Sequence, residues 1–218
     1  MATQLSAPLR VALVGMSGVG KTFWTRRLAA TGCPTVCCDD LIEQRLSAQL
    51  TSGGFRGTSG VARWMGWPDS PTYAEREAAY LSAEIATLDQ VLMGLEQGPA
   101  QELVLDTTGS VIYAGNHLLL RLRRLMTVVY LAASVEEQQL LIQRYLSDPK
   151  PVLWHGAFQP QPGEAPRETM ARCYPPLIES RRRAYEALAH CTIPVAGLHQ
   201  PSPSVDAFLQ KIRQELVH

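Results

Sequence analysis

Short apolar runs alternate with longer helical patterns along this chain, and turn residues separate the two. Each run is apolar at nearly every position rather than at alternate positions, which is typical of parallel strands covered on both faces. The predicted strands are LRVALVG (9–15), PTVCCD (34–39), QELVLD (101–106), LMTVVYLAA (125–133) and CTIPVAG (191–197). This alternation predicts an α/β fold with three αβα layers around a five-stranded parallel sheet.

Helix start signals lie between the runs. Thr72–Glu75 and Ser134–Glu137 have the spacing of capping boxes, and Pro176 suits the first turn of another helix. Ser204 is a suitable cap for a last helix. Apolar positions at helical spacing predict two buried faces, one formed by Ala78, Leu81, Ile85, Leu88 and Leu92 and the other by Val205, Phe208, Leu209, Ile212 and Leu216.

The segment after the first strand has the pattern of a phosphate-binding loop. It consists of Gly15, Met16, Ser17, Gly18, Val19, Gly20, Lys21 and Thr22. Glycines let backbone N–H groups converge on a polyphosphate, and the helix that follows points its positive end at the same place. Lys21 is suited to bridge the β- and γ-phosphates, and the Thr22 hydroxyl to hold Mg²⁺. We therefore expect ATP and Mg²⁺ as the nucleotide and cofactor.

Composition excludes several other classes of protein. The 218 residues carry 20 basic and 20 acidic side chains, so no overall charge favours nucleic acid or an anionic membrane. No apolar run approaches the ~20 residues of a membrane span. The five cysteines form no metal-type pair and suit reduced thiols in the cytoplasm.

Two stretches interrupt the rhythm of strands and helices. Residues 51–72 are rich in Gly and Ser, and residues 147–168 are rich in Pro. We interpret them as insertions into a single domain (1–218): an acceptor-side loop at roughly 52–72 and a lid at roughly 147–169. Trp64, Trp67 and Trp154 lie in these stretches and are candidates either for an acceptor pocket or for the core.

Among proteins with a phosphate loop, a switch GTPase is a poor match. Asp106–Gly109 fits its Asp-x-x-Gly element, but the single asparagine, Asn116, precedes His117 and not the lysine of a guanine-reading motif. The short chain also disfavours a large motor ATPase. A compact kinase that passes a γ-phosphoryl group to a small acceptor remains.

Three further segments of the sequence resemble the shikimate kinases. Val36–Glu43 (VCCDDLIE) is similar to their second-strand segment, residues 127–154 to their fourth strand, helix and lid, and residues 176–193 to their late helix and last strand. The resemblance spans most of the chain. It implies a P-loop NTPase fold of the shikimate kinase and nucleoside-monophosphate kinase type, with lid and acceptor-binding insertions.

Several acceptor-site positions of that family are changed in this chain. Cys37 stands where the family has its first Asp, Ala74 where it has an acceptor-binding Arg, and Lys150 where it has a lid Arg. The family's Ala-Thr-Gly-Gly-Gly turn is replaced by Asp106–Ser110. These departures predict a changed acceptor.

The resemblance assigns acceptor contacts to Asp39 and Arg181. Asp39 and Asp40 end a predicted strand, and by resemblance Asp39 would orient or deprotonate the acceptor hydroxyl. Arg181 lies on the stripe of its helix that faces the core, where it needs an anion or a carboxylate partner. Gly109 belongs to the turn on the acceptor side.

Three further side chains are candidates for catalysis. Asp106 ends the third strand, where P-loop enzymes place the aspartate that holds Mg²⁺. Arg144 and Lys150 flank the start of the lid, and its closure would bring them onto the transferring phosphoryl group.

The sequence thus predicts a phosphotransferase that acts on an alcohol group of a small molecule, as a monomer or homodimer. Three alternatives stay open: a genuine shikimate kinase, a nucleotide-binding regulatory module without catalysis, and a nucleoside or nucleotide kinase.

Overall fold

The structure, a computed structural model, describes residues 8–147, 152–195 and 203–216. Its strands are β1 Arg10–Val14, β2 Thr35–Cys37, β3 Leu103–Asp106, β4 Thr127–Ala132 and β5 Cys191–Pro194. They form one parallel sheet in the order β2-β3-β1-β4-β5. All five lie within the predicted runs, so the five-stranded parallel sheet is confirmed.

Helices flank this sheet. They are α1 Lys21–Ala29, α2 Cys38–Arg45, α3 Ser47–Ser52, α4 Gly57–Met65, α5 Tyr73–Gln97, α6 Asn116–Leu125, α7 Val135–Ser147, α8 Pro166–Leu188 and α9 Val205–Glu215, with a 3₁₀ turn at Val111–Tyr113. Every residue of β3 is buried, as expected for a strand covered on both faces. On one side α1 meets α9, where the Trp24 ring stacks on Phe208 at 4.0 Å between centroids.

Two of the predicted helix starts are confirmed. In the box Ser134–Glu137, the Ser134 amide donates to the Glu137 carboxylate at 2.7 Å and the Glu137 amide donates to the Ser134 hydroxyl at 3.2 Å. The Ser204 hydroxyl caps α9 by accepting from the Ala207 amide at 3.1 Å.

The other two predictions differ in outcome. Thr72 is the N-cap of α5, so the helix begins where predicted, but the Thr72 side chain makes no capping hydrogen bond. Pro176 lies inside α8, because that helix already begins at Pro166. Pro176 lies on the exposed face of the helix, where a carbonyl left without an amide partner can be hydrated.

The predicted inner faces are also shifted in part. Ala78 of α5 is exposed, whereas Glu84 and Thr87 are buried on that helix. In α9, Phe208 and Ile212 are buried but Leu216 is 44% exposed. Apolar spacing alone therefore did not reveal the polar positions that α5 buries.

The two predicted insertions differ in character. The acceptor-side stretch contains α4, so much of it is helical rather than an irregular loop. The lid stretch has no helix or strand from residue 152 to 165, and residues 148–151 lie outside the described part. Among the described residues, no helix has the length and apolar character needed to cross a membrane.

The sheet register determines where the functional segments meet. Asp106 at the end of β3 pairs with Leu13 of β1 on one side and with Cys37 of β2 on the other. The phosphate loop, the start of α2 and the loop after β3 therefore leave the sheet at one edge, where ligands bind in open α/β sheets.

Candidate active site

The segment Gly15–Gly20 forms a tight turn with a backbone conformation that favours glycine at three of its positions. Gly15 has a φ of 141°, and a Cβ there would lie 2.8 Å from the Leu131 carbonyl oxygen. Gly18 has a φ of 80°, and Gly20, at the N-terminus of α1, has a φ of 106°. The first N–H groups of a helix have no partner within it, so the start of α1 offers donors and a positive dipole to an anion.

Lys21 places a cation at the centre of this turn. Its side chain is buried, and its Nζ donates to the carbonyl oxygens of Gly15 at 2.9 Å and Met16 at 3.0 Å. Burial lowers the pKa of Lys21, while the negative charges of Asp106 and Asp39 act in the opposite direction. The ammonium group therefore stands between the phosphate loop and two carboxylates.

Asp106 is the buried carboxylate at the end of β3, and it interacts electrostatically with Lys21. It is 1% exposed, and neither carboxylate oxygen has a hydrogen-bond partner in the described part of the chain. Burial raises the pKa of Asp106; Lys21 and, more weakly, the nearby Thr22 hydroxyl lower it. Thr22 stays outside hydrogen-bonding geometry, so a buried carboxylate and an adjacent hydroxyl remain available to a ligand.

This donor set fits Mg²⁺. Mg²⁺ is usually held by one or two carboxylates together with substrate phosphates and waters, not by a dedicated cage of protein ligands. The described residues contain no cluster of three or more His, Cys, Asp or Glu side chains suited to a metal ion. Thr22 and Asp106 are the residues that would hold it.

A polar cleft of about 190 Å³ opens beside the phosphate loop. The loop and the start of α1 form one wall, and residues of α2, α4, α5 and the loop after β3 form the opposite wall. The lining residues are Ser17, Gly18, Gly20, Lys21, Thr22, Phe23, Asp39, Thr58, Tyr80 and Gly109. The cleft therefore connects the phosphate site to the predicted acceptor residues Asp39 and Gly109.

The sequence pattern predicts that Asp39 and Asp40 end a strand. In the structure both residues lie in the first turn of α2 instead. Asp39 faces the cleft, and the Tyr80 hydroxyl lies 3.5 Å from its Oδ1. Burial raises the pKa of Asp39 to about 6, although Lys21 opposes the shift. Asp40 is exposed and lines a separate open groove that includes Glu43.

Behind the cleft a buried carboxyl group binds the loop after β3. The Glu84 Oε1 accepts hydrogen bonds from the hydroxyls of Thr108 and Ser110, the latter at 2.9 Å. Its Oε2 is buried without a partner in the described residues, and burial raises the pKa of Glu84 to about 8. Glu84 thus holds in place the loop that carries Gly109.

Arg181 is buried behind the same wall, on the core side of α8 as predicted. Its Nη1 donates to the Gly109 carbonyl at 3.4 Å and its Nη2 donates to the Leu153 carbonyl. Its guanidinium group also lies 5.3 Å from the centre of the Tyr113 ring. We expected an anion or carboxylate partner; in the described residues two Arg181 nitrogens have carbonyl partners instead, and its Nε is buried without a partner.

A second cavity of about 290 Å³ lies at the other end of the phosphate loop. Gly18 borders both cavities, whereas the far side of this one is largely aliphatic. Its other lining residues are Val19, Ala133, Glu137, Leu140, Leu141 and Val195. Its position and lining suit a nucleotide base whose phosphates extend into the loop.

The remaining candidates lie elsewhere. Arg144 belongs to α7, and Lys150 lies outside the described residues. Trp154 is buried against Tyr145 and Tyr174, and none of the three candidate tryptophans lines the polar cleft. Trp64 and Trp154 are core residues, and Trp67 is half-buried.

Four residues of the site were not indicated by the sequence, and one of them, Phe23, directly follows the phosphate loop. Thr58 lies on α4, and Tyr80 and Glu84 lie one turn apart on α5. For Tyr80 and Glu84 the sequence does contain a signal, because a glutamate follows a tyrosine by one helical turn within an otherwise apolar stripe. No sequence signal marks Thr58, because the stretch that contains it is predicted to be a loop.

Solved structures with a similar fold include shikimate kinases from several bacteria. The enzyme from Acinetobacter baumannii, solved in complex with shikimate, is 25% identical, with a TM-score of 0.58, over 97% of this chain and 94% of that one. The enzyme from Bacteroides thetaiotaomicron is 20% identical (TM-score 0.58; 96% and 99% covered), and that from Aquifex aeolicus is 16% identical (0.57; 96% and 99%).

No protein-family model matches the sequence, and a search of curated proteins found no match. The likeness to the solved structures nevertheless extends over nearly the whole chain. It agrees with the parallel sheet, the flanking helices and the phosphate loop described above. The chain has the fold of a shikimate kinase-like phosphate-loop kinase.

Proposed function

We propose that this protein transfers the γ-phosphoryl group of ATP to a hydroxyl group of a small metabolite. One observation carries the proposal: the phosphate loop with Lys21 and the carboxylate of Asp39 line the same cleft of about 190 Å³. A phosphoryl donor held in the loop and a hydroxyl held by Asp39 would face each other across that space. Catalysis of phosphoryl transfer needs little more than such positioning and charge stabilisation.

The loop and Lys21 bind and neutralise the polyphosphate. Lys21 already donates two hydrogen bonds to loop carbonyls, and a bound phosphate oxygen would take the place of those weaker acceptors. The base of the nucleotide would enter the aliphatic cavity beside Leu141 and Val195. Arg144 and Lys150 remain candidates for stabilising the phosphoryl group as charge spreads over it.

Asp39 orients the acceptor hydroxyl and accepts its proton as the oxygen attacks phosphorus. A pKa of about 6 places this carboxylate closer to neutral pH than an ordinary aspartate, which makes it a stronger base that is still largely ionised at pH 7. The Tyr80 hydroxyl beside it fixes the direction of the carboxylate. Mg²⁺, held by Thr22 and Asp106, would supply charge neutralisation of the phosphates.

A coupled assay of ADP release over a panel of hydroxylated metabolites, shikimate included, tests this function. We expect acceptor-dependent release by the wild type and a loss of about 100-fold or more in Asp39→Asn, with MgATP binding retained by calorimetry. Asp69→Asn serves as the control, because Asp69 is exposed and does not line the cleft.

The possible outcomes separate the competing functions. Turnover with shikimate alone would identify a genuine shikimate kinase. Binding of MgATP without turnover of any acceptor would indicate a nucleotide-binding regulatory module. Normal turnover by Asp39→Asn would show that the acceptor lies elsewhere.

A further inference from the structure

The charges that line the polar cleft are unequally distributed between its two ends. Among the described residues, Lys21 and Asp39 are the charged side chains of the lining. Lys21 donates to carbonyls of the phosphate loop, so its charge belongs to the phosphate end. Within residues 8–147, 152–195 and 203–216, the acceptor end of the cleft therefore presents the carboxylate of Asp39 without a lining cation of its own.

Apart from Lys21, the buried cation of the described residues is Arg181, whose Nε has no hydrogen-bond partner among them. Arg181 is 4% exposed and does not line the cleft. Two of its nitrogens donate to the carbonyls of Gly109 and Leu153, and its guanidinium group lies over the Tyr113 ring. Gly109 separates it from the cleft. An anionic group in the cleft would therefore meet the backbone of Gly109 and not the guanidinium.

The other polar side chains at this end carry neutral hydroxyls, which add no positive charge. Thr58 and Tyr80 contribute hydroxyls, each able to donate or accept a hydrogen bond, and Asp39 accepts. Behind them the Glu84 carboxyl accepts hydrogen bonds from the hydroxyls of Thr108 and Ser110, and its raised pKa keeps it largely protonated at neutral pH, so it adds no positive charge to this end. A negatively charged acceptor would face Asp39 and the bound triphosphate together.

We propose, on the basis of the function proposed above, that the acceptor is an uncharged or cationic hydroxyl compound and that the acceptor end of the cleft selects against carboxylates. Like charges brought together at a binding site are strongly unfavourable because neither charge keeps its full hydration. We expect the wild type to use the carboxylate form of an acceptor with a kcat/KM about 10- to 100-fold lower than its uncharged form.

The test uses acceptors that differ in charge alone. A trihydroxycyclohexene carboxylate is compared with its hydroxymethyl and aminomethyl counterparts, together with a panel of polyols, amino alcohols and hydroxy acids. Thr58→Arg adds a cation at an exposed position of the cleft, and Thr58→Gln is its uncharged control of similar length. Relative to Thr58→Gln, we expect Thr58→Arg to shift the kcat/KM ratio toward carboxylates by about tenfold.

Each outcome bears on a definite claim. Highest kcat/KM for uncharged or cationic acceptors, with the shift in Thr58→Arg, supports the charge selection. Highest kcat/KM for a hydroxy acid, or an equal ratio in the two Thr58 variants, overturns it and leaves the kinase function intact. MgATP binding without phosphorylation of any compound overturns the kinase function, and the charge selection with it.

Discussion

Replacement of Glu84 by Gln should remove a specific pH dependence of stability. Gln keeps an oxygen that accepts from Thr108 and Ser110, so the hydrogen bonds that hold the loop after β3 can persist. It cannot ionise, however. The variant therefore separates the geometry of this buried group from its charge.

The magnitude follows from the pKa of Glu84. In the unfolded chain the ordinary pKa of 4.5 applies, whereas burial raises the pKa to about 8 in the folded protein. Between those values the native state holds a proton that the unfolded state has lost, so stability falls as pH rises, by about 1.4 kcal/mol per pH unit. Between pH 5 and pH 9 the contribution of Glu84 to this loss is about 4 kcal/mol.

Urea unfolding at pH 5, 7 and 9 measures the effect. We expect the free energy of unfolding of the wild type to fall with pH more steeply than that of Glu84→Gln, with the difference approaching 4 kcal/mol over the range. The control is Glu75→Gln on the same helix, since Glu75 is exposed and should leave the wild-type slope unchanged. Equal slopes for the wild type and Glu84→Gln would refute the burial of a proton-binding carboxyl group behind the cleft.

Three further predictions concern other parts of the molecule. Because Asp39 has a pKa of about 6 and must be ionised to accept a proton, kcat/KM should fall tenfold per pH unit below about pH 6; a flat profile from pH 5 to 8 would exclude it as the base. Gly15→Ala should destabilise the protein by about 1–3 kcal/mol and weaken nucleotide binding, because the added Cβ would meet the Leu131 carbonyl at a φ of 141°. The control Gly94→Ala lies at an exposed position within α5 and should be neutral or stabilising. Equal unfolding curves for the two variants would contradict this prediction. Ser204→Ala should lower the free energy of unfolding by about 1 kcal/mol through loss of the cap on Ala207, and an unchanged urea midpoint would show that α9 does not depend on it.

Local sequence signals were sufficient for the sheet and for the phosphate loop. The strand β1, the glycines and Lys21 are consecutive in the chain, so their arrangement depends on short-range geometry that the residues themselves dictate. The capping interactions of Ser134 and Ser204 are equally local, and both were predicted correctly.

The acceptor end of the cleft depends on contacts between segments that are distant in the chain, and local sequence patterns do not indicate such contacts. Tyr80 meets Asp39 of α2, and Glu84 meets Thr108 and Ser110 after β3. We expected Arg181 to pair with an anion, but in the folded chain it donates hydrogen bonds to the carbonyls of Gly109 and Leu153. These contacts depend on how α5, α8 and the lid stretch pack against one another. The spacing of apolar residues does not predict that packing.

Calorimetric titration with MgATP tests the central claim most directly, because everything proposed here depends on a polyphosphate binding in the loop Gly15–Thr22. The wild type should bind with measurable heat, and Lys21→Ala should bind about 10- to 100-fold more weakly through loss of a charge-assisted contact, while Lys211→Ala on α9 should bind like the wild type. No heat for the wild type, or undiminished affinity in Lys21→Ala, would contradict the account.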